Sequence, residues 1–193
     1  MLKQTRRAFA IAALSAVPLA AHAQRLEIKA GYAYGSIPNN GGALPGTLSA
    51  HSGVALGLGL VGSKPLSWGI EGLYAERGVN STMAGSSQRL HYLDVPLYLR
   101  LTVPSPGISP FAYAGPQASF ELNCDAGGGT CPSGRSKTTW AGIAGGGVRF
   151  GALSGISLEG RYMYGLTNTR LSTITSTTSY KTRSFMLLAG LSF

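Results

Sequence analysis

Seven charged residues sit in stretches that otherwise read as apolar strands: Glu27, Lys29, Glu71, Asp94, Arg100, Glu159 and Arg161. "HYLDVPLYLRL" at 91–101 shows the pattern: Leu93, Val95, Leu97, Leu99 and Leu101 alternate with Asp94, Pro96, Tyr98 and Arg100. Alternation with a period of two puts the two sets on opposite faces of a strand. Four acids and three bases on one face have the makings of a charge-paired plug. Away from water, each charge is tolerated only with opposite charges and hydrogen bonds around it.

Catalysis by an acyl hydrolase would require a Ser, a His and an acid within hydrogen-bond reach. Past residue 23 the histidines are His51, expected in a long loop, and His91, near Ser86 and Ser87 with Glu121 on the following strand. No elbow motif frames either serine, so no catalytic residue is assigned and the chain is read as a non-enzyme. Cys124 and Cys131 in "NCDAGGGTCPSG" lack two further ligands at finger-like spacing, so neither a metal nor a cofactor is expected. A disulfide suits an exported chain better and would stabilise this short loop by roughly 2 to 3 kcal/mol.

The rest of the chain supplies the framework. Residues 1–23 read as a cleaved secretory signal: Lys3, Arg6 and Arg7 precede the apolar "AFAIAALSAVPLA", and Ala21-His22-Ala23 matches a small-x-small cleavage site. Residues 24–193 then form one domain. Loss of three bases and no acid lowers the net charge from +9 to +6. No basic run carries interleaved aromatics, so nucleic acid is not an expected partner.

Period-two alternation recurs in eight segments, at about 25–35, 53–62, 67–77, 89–102, 110–122, 138–150, 156–166 and 180–193. Long Gly-, Ser- and Thr-rich connections alternate with short ones such as "GSKPLS" and "VPSPGIS". This is the arrangement of an all-β, antiparallel up-and-down barrel with tight turns at one end and free loops at the other. In a soluble barrel the greasy face would be inside; in an outer-membrane barrel it faces lipid and the polar face fills the lumen. The segments are long enough to cross the apolar band at a tilt, about 9 to 11 residues. Trp68, Phe111 and Phe150, and Tyr32, Tyr34, Tyr74, Tyr162 and Tyr164, are expected in interfacial girdles. Pro96 donates no ladder hydrogen bond, so a bulge is expected there.

"HYLDVPLYLRL", "IEGLYAERG", "SPFAYAGP", "ISLEGRYMYGL" and the terminal Phe193 resemble the small eight-stranded outer-membrane barrels of the PorT-like and OmpX/OmpA-type porin superfamily. The resemblance implies an eight-stranded transmembrane barrel, integral to the outer membrane of a Gram-negative cell envelope. Phe185, Leu187, Ala189, Leu191 and Phe193 in "SFMLLAGLSF" resemble the C-terminal signal read by the barrel assembly machinery. This fold hosts several functions, so the resemblance specifies architecture more than role. Eight strands enclose a space that side chains fill, which favours a monomeric, plugged barrel with a structural or surface-interaction role over an open pore. The alternatives are a lipid-modifying enzyme, a narrow pore and a secretion-accessory barrel. Beyond membrane lipid, lipopolysaccharide phosphates are the expected contact of an outer basic rim, Arg77, Arg89, Arg135 and Lys137. The long loops are free to meet an extracellular partner.

Overall fold

The computed structural model describes residues 24–36, 48–81, 86–126, 137–151, 155–167, 169–173, 176–180 and 183–193. They form ten strands: β1 (Gln24–Ser36), β2 (Leu48–Gly62), β3 (Leu66–Ser81), β4 (Ser86–Thr102), β5 (Ile108–Ala126), β6 (Thr138–Phe150), β7 (Gly155–Gly165), β8 (Thr169–Thr173), β9 (Ser176–Tyr180) and β10 (Arg183–Ser192). Eight of them close into an antiparallel barrel in the order β1-β10-β7-β6-β5-β4-β3-β2. The seam is completed just past the end of β10, where Phe193 and Leu26 exchange backbone hydrogen bonds at 2.9 and 3.2 Å.

Alternation decides which way each side chain points. Along β10 exposed and buried residues alternate without a break, and β7 does the same with small departures. Leu97, Leu99 and Leu101 face outward while Asp94, Tyr98 and Arg100 are buried. The interior holds two apolar clusters, one around Tyr98, Phe111, Tyr113 and Ile143, the other around Leu73, Met186 and Leu188. The polar residues lie between and beside them.

Four expectations are revised. The stretch 78–88 is mostly strand, because the β3–β4 ladder continues through Asn80 opposite Ser87 and Ser81 opposite Ser86. Backbone pairing does not require apolar side chains, so a polar segment can extend a hairpin. For the same reason His51 lies within β2, opposite Gly78, and not in a loop. Part of the last expected loop is instead the separate hairpin β8–β9, and the final barrel strand begins at Arg183 rather than at 180. The Thr-rich sequence of that hairpin suits a pleated strand. Finally, Pro96 sits in register: Ile70 opposite Leu97 and Leu73 opposite Asp94 are separated by the same number of residues on both strands. The register shifts instead between His91 and Tyr92, against β5.

Candidate functional site

All seven expected lumen residues lie inside the barrel, at 0 to 4% exposure. Six of them form one connected cluster. Lys29 on β1 donates through Nζ to Glu71 Oε1 at 2.5 Å and Glu159 Oε2 at 2.9 Å, and lies 3.2 Å from Glu27 Oε2. Arg161 on β7 reaches the same two glutamates through Nη2, Glu71 Oε2 at 2.5 Å and Glu159 Oε1 at 3.0 Å. Glu27 accepts from Arg100 Nη1 at 2.7 Å, and the Arg100 guanidinium stacks 3.7 Å above the Phe111 ring. A compact ammonium shared among three carboxylates and an Arg spanning two of them suit the geometries of those cations. The arrangement ties β1, β3, β4 and β7 together across the interior.

Two tyrosines complete the cluster, and the sequence pattern alone did not single them out for it. Tyr98 donates its hydroxyl to Glu71 Oε1 at 2.6 Å; Tyr113 donates to Glu159 Oε1 at 3.0 Å and accepts from Arg161 Nε at 2.9 Å. Their rings need room that glycine supplies: a Cβ on Gly69 or Gly145 would lie 2.5 Å from the Tyr98 or Tyr113 ring. Both tyrosines fall on the inward phase of their strands, two residues from Arg100 and Phe111 respectively, which is the signal that could have found them.

Asp94 stands apart from this cluster. Its partner is Arg77, which hydrogen-bonds its carboxylate. Arg77 was expected on the outer basic rim but is only 6% exposed. It shares the inward phase of β3 with Glu71, Leu73 and Ala75, so the alternation already placed it. Phe111 is likewise inside rather than in a girdle, because β5 turns its large residues inward and presents small Ala112 and Ala114 to the outside. Trp68, Phe150, Tyr32, Tyr34 and Tyr162 do face outward, joined by Trp140. Of the remaining rim bases, Arg89 and Lys137 are exposed, and Arg135 lies outside the described residues.

A second polar group lies on the outer wall near the loop end. The register shift against β5 brings Asn123 opposite His91 and Asp125 opposite Arg89. His91 thereby bridges two strands, with Nδ1 2.6 Å from the Tyr74 hydroxyl and Nε2 2.9 Å from Asp125 Oδ2. Tyr74 also donates to Glu76 Oε1 at 3.3 Å and stacks on the His91 ring with centroids 5.8 Å apart. The side chains of Ser86 and Ser87 lie outside the described residues. Among the described residues no group of His, Cys, Asp and Glu is disposed to hold a metal. Cys131 and residues 1–23 also fall outside that description.

An outward apolar wall around the polar interior of a closed sheet is the inverse of a soluble barrel. Residues 9–193 match the family described as "Outer membrane protein beta-barrel domain". The chain belongs to this family. It is an integral outer-membrane β-barrel, and the match does not single out the PorT-like branch. Three solved barrels share the fold at low identity. The outer membrane protein OprG of Pseudomonas aeruginosa is 16% identical with a TM-score of 0.53, over 89% of this chain and 96% of that one. Neisserial surface protein A is 15% identical at 0.53, covering 88% and 95%. The E. coli outer membrane protein W is 18% identical at 0.50, covering 89% and 98%. No curated protein sequence matches the chain significantly.

Proposed function

We propose that this outer-membrane barrel is a side-chain-filled structural or surface-interaction protein, neither a channel nor an enzyme. The observation that carries the reading is the cluster of Lys29 and Arg161 with Glu71 and Glu159, drawn from β1, β3 and β7 and meeting across the lumen. An eight-stranded barrel has an interior just wide enough for side chains. These ones occupy its middle with charges that hold each other in place. Among the described residues the wall histidine is bonded to the Tyr74 phenol and to Asp125, which supports reading it as an amphipathic rim residue. Planar-bilayer recording on the refolded barrel tests the proposal: no discrete conductance is expected, and regular unitary steps would overturn it.

Four further assignments belong to this reading. Residues 1–23 act as a cleaved signal, and a Cys124–Cys131 disulfide staples the loop after β5. The outward face of β10, with Phe193 63% exposed, is the surface read by the barrel assembly machinery. Deleting Phe193 should lower folded barrel in cells far more than refolding in detergent, whereas equal losses would make it a packing residue. Arg89, Arg135 and Lys137, with Arg77 removed from the set, form the basic surface offered to lipopolysaccharide phosphates.

A further inference from the structure

The inward-facing charges of the described residues balance one for one through most of the lumen. Glu27, Glu71, Asp94 and Glu159 stand against Lys29, Arg77, Arg100 and Arg161. Two bases are left over, Arg25 at the start of β1 and Arg149 at the end of β6, and both lie at the short-turn end of the barrel, the periplasmic mouth in barrels of this kind. They line one cavity of about 370 Å³ together with Ser63, Ser105 and Ser109. No ion pair joins either to a carboxylate among the described residues, and Arg149 Nε is buried without a hydrogen-bond partner. Deeper in, Arg100 is almost fully buried, and its Nε and Nη2 also lack partners. Arg149 is within electrostatic reach of Arg25 and Arg100, and the one acid in range, Glu27, is already engaged by Arg100 and Lys29. The described turn residues at this mouth, 63–65, 103–107 and 151, include Lys64 and no Asp or Glu.

Like charges gathered at the mouth repel one another, and no other side-chain carboxylate among the described residues answers them. We propose that the periplasmic mouth is a binding site for a phosphate-type oxyanion, held between the Arg25 and Arg149 guanidinium groups with the Ser63 and Ser105 hydroxyls completing its hydrogen bonds. Guanidinium forks match the oxygens of such an anion and bind it bidentately. The cavity accommodates one phosphate group and its waters. The anion has two chemical sources, free phosphate in the periplasm or the phosphate of an anionic phospholipid headgroup in the inner leaflet.

The test is the thermal unfolding midpoint of the intact barrel in neutral detergent, with low millimolar inorganic phosphate against chloride at equal ionic strength. A ligand that binds only the folded state raises the midpoint in a saturable way. The expected result is such a rise in the wild type, its loss in the double variant Arg25→Gln/Arg149→Gln, and its retention in Arg183→Gln at the opposite end. Without phosphate the double variant should be at least as stable as wild type, since it loses repulsion. A rise of equal size in the double variant, or no difference between phosphate and chloride, overturns the proposal. Should the double variant not fold, arginine side-chain resonances of the wild type decide: phosphate must shift those of Arg25 and Arg149 and leave Arg161 in place, and uniform or absent shifts overturn the site. Nanodiscs identify the source. If phosphatidylglycerol abolishes the response to added phosphate, the headgroup fills the site; if the response persists, free phosphate does.

Discussion

The lumen cluster and the outer-wall group around His91 are built from the same materials, a tyrosine hydroxyl, acids and a basic side chain linked by hydrogen bonds. Their surroundings differ. Arg161 in the lumen is fully buried, whereas the Asp125 side chain on the wall is 62% exposed. Water at the wall replaces any partner that is removed; inside the barrel nothing does. The energy of an ion pair is therefore set less by its distances than by what remains when one member goes. On this view the lumen residues hold the strands in register, while the wall residues are free to change with little effect on folding.

That difference is most easily broken at Arg161. Arg161→Met leaves Glu71 and Glu159 to share Lys29 and should destabilise the barrel by about 3 to 5 kcal/mol in denaturant unfolding. Combined with Glu71→Gln, the loss should fall short of the sum of the two single effects by about 0.5 to 3 kcal/mol. Strict additivity with near-neutral single variants would mean that water reaches these groups. A somewhat smaller effect is expected at Arg77, whose removal strands only Asp94. Arg77→Gln should cost about 3 kcal/mol and leave lipopolysaccharide binding unchanged, the opposite of what a rim residue would do.

At the wall the effects shrink. His91→Gln should change stability by less than about 1 kcal/mol, because its acidic partners stay hydrated. A loss comparable to that of Arg161→Met would erase the distinction between the two regions. The smallest effect on folding is expected at the exposed bases. Replacing Arg89, Arg135 and Lys137 with Gln should leave the unfolding midpoint in place and weaken lipopolysaccharide association, more so at low salt, where screening is least. Indifference of binding to the change would assign these bases to solubility alone.

Much of the fold was legible in the alternation of residue types. The eight barrel strands match the alternating segments to within a few residues at most ends, because an outward wall in lipid and an inward polar face impose a strict period of two. The same rule, applied to every strand, also places Arg77, Tyr98, Tyr113, Arg25 and Arg149 inside. Arg77 is misread because it borders the stretch 78–88, which was expected to be a loop, where charge suggests solvent exposure. Phe111 is misread because aromatics near strand ends suggest girdles, although its own phase faces the lumen.

What the sequence by itself determined is the face on which a side chain lies within each unbroken alternating run, a local property carried by the pleat of the backbone. Which inward residues meet was decided only by closure and register. Glu71 and Arg161 are 90 positions apart, and they touch because β3 and β7 face one another across the closed sheet. Nothing in the local pattern specifies that distance. The wall group makes the same point in a smaller way. One extra residue in β5, opposite the step from His91 to Tyr92, reverses the phase of the remainder of that strand and turns Asp125 outward onto His91. Because a shift of one residue exchanges the two faces of a strand, a bulge can redirect a functional group while the composition of the segment stays as it was.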